Sequence, residues 1–399
     1  MQIKTINYLF NYPLGELDLD RYGINYFNQQ GIQVNIYNIT CLVRPLNCHY
    51  KPPIPANYLN QFKIKKYSDL ENTISMFDNK DTLFICCLGV GDRFNTMKVY
   101  KILSGYSFMY VREALLVRVT NQSGKSKKFK DITIKKVIFY LKAKIIFYSK
   151  YFFLNIYYKN INQPEFAIAL ARNSVEAINR FTIKPKSILL THSFDYENFL
   201  KPKKNNLKKH IVYLDEYMPF HPDWNDTKSL KNISNIADEY YKKMNNLFDV
   251  LENKFSKKVI VAAHPRADIQ EYKSFWNGRE FYFGKTDELC NDAIFCINHA
   301  SGSVALAVLY KLPVLFITMS EISFYEDYIN LVAAQLNLKS INIDNIDVDS
   351  FNDFVVPIDE EKYAEYKEYN IKCSESLDIP IWENVYNYLK SIKKEKYVV

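Results

Sequence analysis

Residues 293–317, AIFCINHASGSVALAVLYKLPVLFI, decide the architecture. An apolar run, AIFCIN, leads into the small polar stretch His299-Ala300-Ser301-Gly302-Ser303. The helix-forming run SVALAVLY follows, and a second apolar run begins after Pro313. Two short apolar runs separated by a helix, with no hairpin turn between them, read as a strand–helix–strand unit with parallel strands. The loop has its own physics. A helix start exposes backbone N–H groups and the positive end of the dipole, and the Ser301 and Ser303 hydroxyls add donors, which suits a phosphate. Either serine also serves as a plain N-cap with no ligand, so the stretch alone supports both readings.

Working outward, VIVAAHPRAD (259–268) is a strand of small and β-branched residues ending in His264-Pro265-Arg266, and HIVYLDE (210–216) is a short strand ending in Asp215-Glu216. A helix is expected from about Ser229 to Leu251 between them. Residues 1 to about 120 show the same cadence, with strands in TINYLF, IQVNIYNIT and TLFICCLGVGD and a helix closed by Gly31. A chain of 399 residues is long for one core. The expected fold is therefore α/β, with two doubly wound Rossmann-like domains, 1–190 and 205–399, facing a central cleft. The GVGD at 89–92 is an incomplete dinucleotide fingerprint, since Arg93 follows and the third glycine is missing.

Apolar residues at 48% and charged residues at 24% exclude large-scale disorder. Seven cysteines, odd in number and without CxxC or zinc-like spacing, point to a reducing compartment. The N-terminus lacks the pattern of a signal peptide, and no run reaches the ~18 apolar residues of a spanning helix, so a cytoplasmic protein is expected. The net charge of +8 is concentrated: Lys125 to Lys159 holds ten lysines and one acid, Asp131, a local +9 that leaves −1 elsewhere. Nucleic acid is therefore not the expected partner. This segment, with nine aromatics from Phe139 to Tyr158, fits either a core-packed helix with snorkelling lysines or contact with an anionic membrane at the inner face.

Asp215-Glu216, His264-Pro265-Arg266 and the His299–Ser303 loop all fall at strand C-termini, where open α/β sheets bind ligands. A carboxylate there can take the proton of a hydroxyl nucleophile. Adjacent strand residues point to opposite faces, so only one of Asp215 and Glu216 can serve the cleft. His264 and Arg266 supply a donor and a cation for phosphate. His221, in PFHPD, either lines the same cleft or caps the next helix. No His/Cys/Asp cluster points to a metal, and no cofactor is expected.

The order LDEY, AAHPR, HASGS resembles bacterial GT-B glycosyltransferases that use CMP-activated acidic sugars. These are the sialyl- and polysialyltransferases and the related transferases of Kdo and other nonulosonic acids. The likeness covers about 90 residues. It implies Asp215 as general base, His264 as a contact to the CMP phosphate, and Ser301 with Ser303 holding that phosphate. It further implies a CMP-sugar donor and a capsule or lipopolysaccharide glycan acceptor, with the acceptor on the N-terminal domain and the nucleotide on the C-terminal one. Two departures stand out: Tyr217 replaces a glycine that often follows the acidic pair, and Gly302 splits the usual serine pair. A CDP-polyol phosphotransferase, a UDP-sugar 2-epimerase and a non-catalytic glycan-binding scaffold are the rival readings.

Overall fold

The computed structural model describes residues 3–52, 54–88, 94–113, 116, 161–181, 183–203, 208–226, 233–344 and 356–395. The basic segment 125–159 and the GVGD stretch lie outside these residues. Two parallel sheets account for the strands. The first contains β1 (Thr5–Phe10), β2 (Gln33–Asn38), β3 (Gln61–Lys63), β4 (Thr82–Cys87), β5 (Phe108–Arg112), β6 (Phe166–Ala169) and β7 (Ile188–Leu190). The second contains β8 (His210–Leu214), β9 (Val259–Ala263), β10 (Phe281–Phe283), β11 (Ala293–Asn298), β12 (Val314–Thr318) and β13 (Ile341–Asn342).

The strand orders are β3-β2-β1-β4-β5-β6-β7 and β10-β9-β8-β11-β12-β13. Each chain segment winds outward from its first strand, returns to the other side of it, and winds outward again. That is the 3-2-1-4-5-6 order of a dinucleotide-type sheet, and it places a crevice beside the first strand where the winding reverses. Two such sheets make the chain GT-B-like, as expected.

Inner strands are apolar on both faces because helices cover both sides. Along β1 and β4 the alternation is visible residue by residue. Tyr8, Phe10, Ile85 and Cys87 join one core, while Leu9, Phe84 and Cys86 join the core on the opposite face. The expected long helix of the second domain is Ala237–Phe255, preceded by a 3-10 turn at Ile233–Ile236. Tyr240, Met244, Leu247, Phe248 and Leu251 form its buried stripe, and Ser256 ends it in the left-handed conformation at φ +50°.

The chain's last helix, Ile381–Glu395, departs from the expected division at 205–399. Ile381, Trp382, Val385 and Leu389 are buried in the core of the first sheet, not the second. The Trp382 indole donates to the Arg21 carbonyl at 2.8 Å. Gly23 makes room for it: at φ +68°, a Cβ there would lie 2.2 Å from the indole. The reducing compartment expected from the thiols also meets an exception. Cys41 and Cys48 form a disulfide, while Cys86, Cys87, Cys290, Cys296 and Cys373 are free and buried. Among the described residues no helix is long and apolar enough to cross a membrane.

Candidate functional site

The three motifs sit side by side. Leu214 pairs with Ala262 of β9 and with Asn298 of β11, so Asp215, the Ala263-His264 corner and His299 emerge together from three adjacent strands. The reversal of winding falls between β8 and β11, which puts the site at the crevice where such sheets take their ligands.

Asp215 is 3% exposed. Its Oδ2 accepts from the Tyr272 hydroxyl at 2.7 Å, and its Oδ1 accepts no hydrogen bond among the described residues. Burial pushes the carboxyl up to about 6, against the pull of Tyr272 and of the nearby Tyr217 and His264 amides. An acid so placed is ionised near neutral pH, and its Oδ1 is unbonded although itself buried. Beneath it, the Tyr213, Tyr240 and His299 side chains form a buried chain, with O···O 2.8 Å and O···N 3.0 Å.

His299 ends that chain and does not reach a ligand. It is fully buried, Nδ1 donates to the Ile317 carbonyl at 2.8 Å, and Nε2 accepts from Tyr240. Burial lowers its pKa to about 4, so it is a neutral core residue. The expectation that it binds nucleotide is corrected here: both ring nitrogens are already used.

Glu216 points the other way along the sheet edge, as the alternation of side chains requires. Its Oε2 accepts from the Ala300 amide at 3.0 Å, and burial pushes its carboxyl up to about 7. This revises the picture of a loop with open amides. Ala300 N–H is given to Glu216, and Ser301 N–H is given to the Asn298 side chain at 2.9 Å. The Gly302 amide and the Ser303 hydroxyl remain uncommitted among the described residues. Gly302 faces Leu116 of the first domain, 3.9 Å from where a Cβ would stand.

Tyr217 stands where the resemblance has a glycine. Its φ is +53°, the region that favours glycine and is strained for a bulky residue. The ring is buried against Phe220 and Tyr272, at centroid distances of 5.4 and 6.2 Å. Aromatic burial offsets the backbone strain that a glycine would avoid.

His264 and His221 belong to twin His-Pro turns. Each Nδ1 accepts the backbone N–H two residues on, from Arg266 and Asp223 respectively, both at 3.2 Å. In a neutral ring the proton is therefore on Nε2, which makes each a donor. The rings meet edge-on at 4.8 Å. Burial lowers the His264 pKa well below its ordinary value, with His221 and Arg266 adding to the shift. Burial lowers that of His221 to about 4. Of the two possibilities for His221, the bond to Asp223 is the cap: it closes the start of the 3-10 helix Pro222–Asp226, while the ring packs on His264.

Pro265 is exposed at the turn. Arg266 turns away from the Ser301 loop toward the first domain. It pairs with Asp223 at 3.3 Å and lies 4.9 Å from the centre of the Tyr12 ring. Asp223 also pairs with Arg44 of the first domain at 2.5 Å. Asp223 and Tyr272 were not among the expected site residues. Tyr272 carried a signal, since it lies on the helix Ile269–Phe275 that follows the His-Pro turn, four residues before the buried Trp276 just beyond its end.

No family model matches the chain, and no curated protein matches it. Among solved structures, it is similar to a putative UDP-N-acetylglucosamine 2-epimerase from Listeria monocytogenes, at 10% identity, 100% of this chain, 98% of that one and TM-score 0.47. It is also similar to the calicheamicin glycosyltransferase CalG4, at 11% identity, 98% and 100% coverage and TM-score 0.48. A third is the wall teichoic acid polymerase TagF, at 12% identity, 99% and 90% coverage and TM-score 0.46. These values are too low to carry chemistry across. The two strand orders, not these likenesses, make the chain GT-B-like.

Proposed function

We propose that the chain is a glycosyltransferase that moves an acidic sugar from a CMP-activated donor to the hydroxyl of a surface-glycan acceptor. The observation that carries this reading is the Asp215 carboxylate: buried at a strand C-terminus, with a pKa near 6 and an unengaged Oδ1. Asp215 takes the acceptor hydroxyl's proton as the new C–O bond forms and the bond from the sugar to the phosphate breaks. The leaving CMP gains negative charge. A neutral His264 donating from Nε2, the Gly302 amide and the Ser303 hydroxyl stabilise that charge. Glu216 holds the loop through Ala300 and takes no part in proton transfer.

The first test is a donor panel of CMP-sialic acid, CMP-Kdo, CDP-glycerol and UDP-N-acetylglucosamine, read as nucleotide release. Release of CMP alone from one of the first two supports the reading; release from CDP-glycerol or UDP-sugar transfers it to a polyol phosphotransferase or an epimerase. The second is Asp215→Asn, which keeps CMP affinity and lowers transfer by roughly 10²–10⁴-fold. Near-normal turnover in that variant removes Asp215 from the reaction.

A further inference from the structure

A polar cavity of about 230 Å³ lies on the first-domain side of the cleft, with Arg266, two residues beyond His264, in its wall. Four arginines line it: Arg21, Arg44 and Arg112 from the first domain, and Arg266 from the second. Arginine is scarce in this chain, nine among 52 basic residues, yet four of the nine meet here. A lysine-rich sequence that keeps arginine at one place points to a planar, bidentate partner.

The cavity's carboxylates, Glu113 among them, answer these cations only in part. Arg44 and Arg266 share one acid, Asp223. Arg21 stacks on Phe194 and lies 4.0 Å from Glu113. Glu113 lines the same cavity and its charge acts on both Arg21 and Arg112, while the Tyr12 hydroxyl donates to Tyr22, whose hydroxyl donates to Glu113 Oε1, each at 2.7 Å. Asp18, near Arg21 and Arg266, accepts from the Gly15 amide through Oδ2. Arg112 makes no side-chain hydrogen bond or ion pair among the described residues, and its Nε is buried without a partner. Burial lowers its pKa although the Glu113 charge opposes this, and a desolvated guanidinium without hydrogen bonds is costly unless an anion completes it.

We propose that this cavity binds an anionic group of the acceptor, a carboxylate or a phosphate, with Arg112 as its principal partner and Arg21 and Arg266 flanking it. This rests on reading the first domain as the acceptor side. The placement fits, because the C-terminal ends of β1, β4 and β5 form the wall, whereas the proposed donor contacts stand on the second sheet. The volume also fits, being below the ~300–1,000 Å³ of a whole ligand pocket, and so suits one charged unit of a longer glycan.

Isothermal titration of the full chain with three probes tests this: an α2,8-linked sialic acid dimer, glucose 6-phosphate and neutral lactose. One anionic probe should bind and lactose should not, and which anion binds tells carboxylate from phosphate. Arg112→Gln should weaken that binding by about 10–100-fold, the loss of a charged hydrogen-bonded pair. Arg112→Lys, which keeps the charge but not the fork, should fall between and covers the case in which the glutamine variant does not fold. CMP affinity should be the same in all three proteins. If neither anion binds the wild type, or both variants bind as tightly as it does, the proposal is overturned. Loss of CMP binding in the wild type, by contrast, overturns the donor reading and leaves the anion result to be judged by itself.

Discussion

The Tyr272 hydroxyl donates to Oδ2 of Asp215 at 2.7 Å and leaves Oδ1 of the same carboxylate without a hydrogen bond among the described residues. One oxygen is thus fixed and the other left unbonded, which orients the group before any acceptor arrives. The bond also favours the ionised form, opposing the burial that pushes Asp215 up to about 6.

Tyr272→Phe removes that bond, so the Asp215 pKa must rise further. Transfer should fall by about tenfold at pH 6 and recover toward the wild-type rate at pH 8, where the carboxylate ionises again. The acidic limb of the pH–rate profile should therefore move to higher pH. A uniform loss at every pH would mean that Tyr272 only supports the fold.

Glu216 makes a prediction about stability. Its pKa is raised to about 7 by burial, from an unfolded value of about 4.3. The folded state thus binds more protons between these values. The stabilisation linked to that proton is full below the unfolded pKa and is lost as pH rises through about 7. Glu216→Gln cannot titrate, and its oxygen still accepts from Ala300. Its melting temperature relative to the wild type should therefore be higher at pH 8 than at pH 5, with transfer changed only a few-fold. Equal differences at the two pH values would show that Glu216 titrates in the fold as it does in water.

Gly23 and Trp382 tie the two ends of the chain together. Gly23→Ala must adopt φ +68° and place a methyl 2.2 Å from the indole, while Trp382→Ala empties a site that is 4% exposed. The tryptophan variant should lose about 3–5 kcal/mol in denaturant unfolding. The alanine at 23 should be similarly damaging, and the double variant should lose less than the sum because both act on one contact. Additive losses would separate the two positions.

What the sequence displayed, and what it hid, follows from range. β8, β9 and β11 were legible because each is an apolar or small-residue run followed by acid, by His-Pro or by the small polar stretch His299–Ser303. The doubly wound order then puts those ends together. The return of Ile381–Glu395 to the first core was not legible: an amphipathic helix shows that it has a partner face, not which sheet supplies it. His299 departs from expectation because a residue at a strand end can turn toward ligand or core, and only Tyr240, 59 residues upstream, decides between them. The arginine cavity carries no local motif at all. Its members come from strand ends and loops spread from Arg21 to Arg266, and the one advance sign was the scarcity of arginine.

Asp223 joins the domains by accepting from Arg44 of the first and Arg266 of the second. Burial alone would raise its pKa, but His221, Arg266 and Arg44 outweigh it and bring the group down to about 2. A depressed carboxylate contributes stability above its unfolded pKa and loses it as pH falls through the folded value. The link is thus constant from pH 5 to 8 and weakens below about pH 4. The side chain is half-exposed, so Asp223→Asn should change unfolding stability by only about 0–1 kcal/mol. The larger effect should be on the cleft: Arg44 and Arg266 lose their shared acid, so anionic probes should bind several-fold more tightly at low salt, with the gain fading as salt screens it. Small-angle scattering should show a larger radius of gyration if the same link also holds the domains closed. Unchanged scattering would confine Asp223 to charge balance, and unchanged anion affinity as well would remove it from the cleft's function.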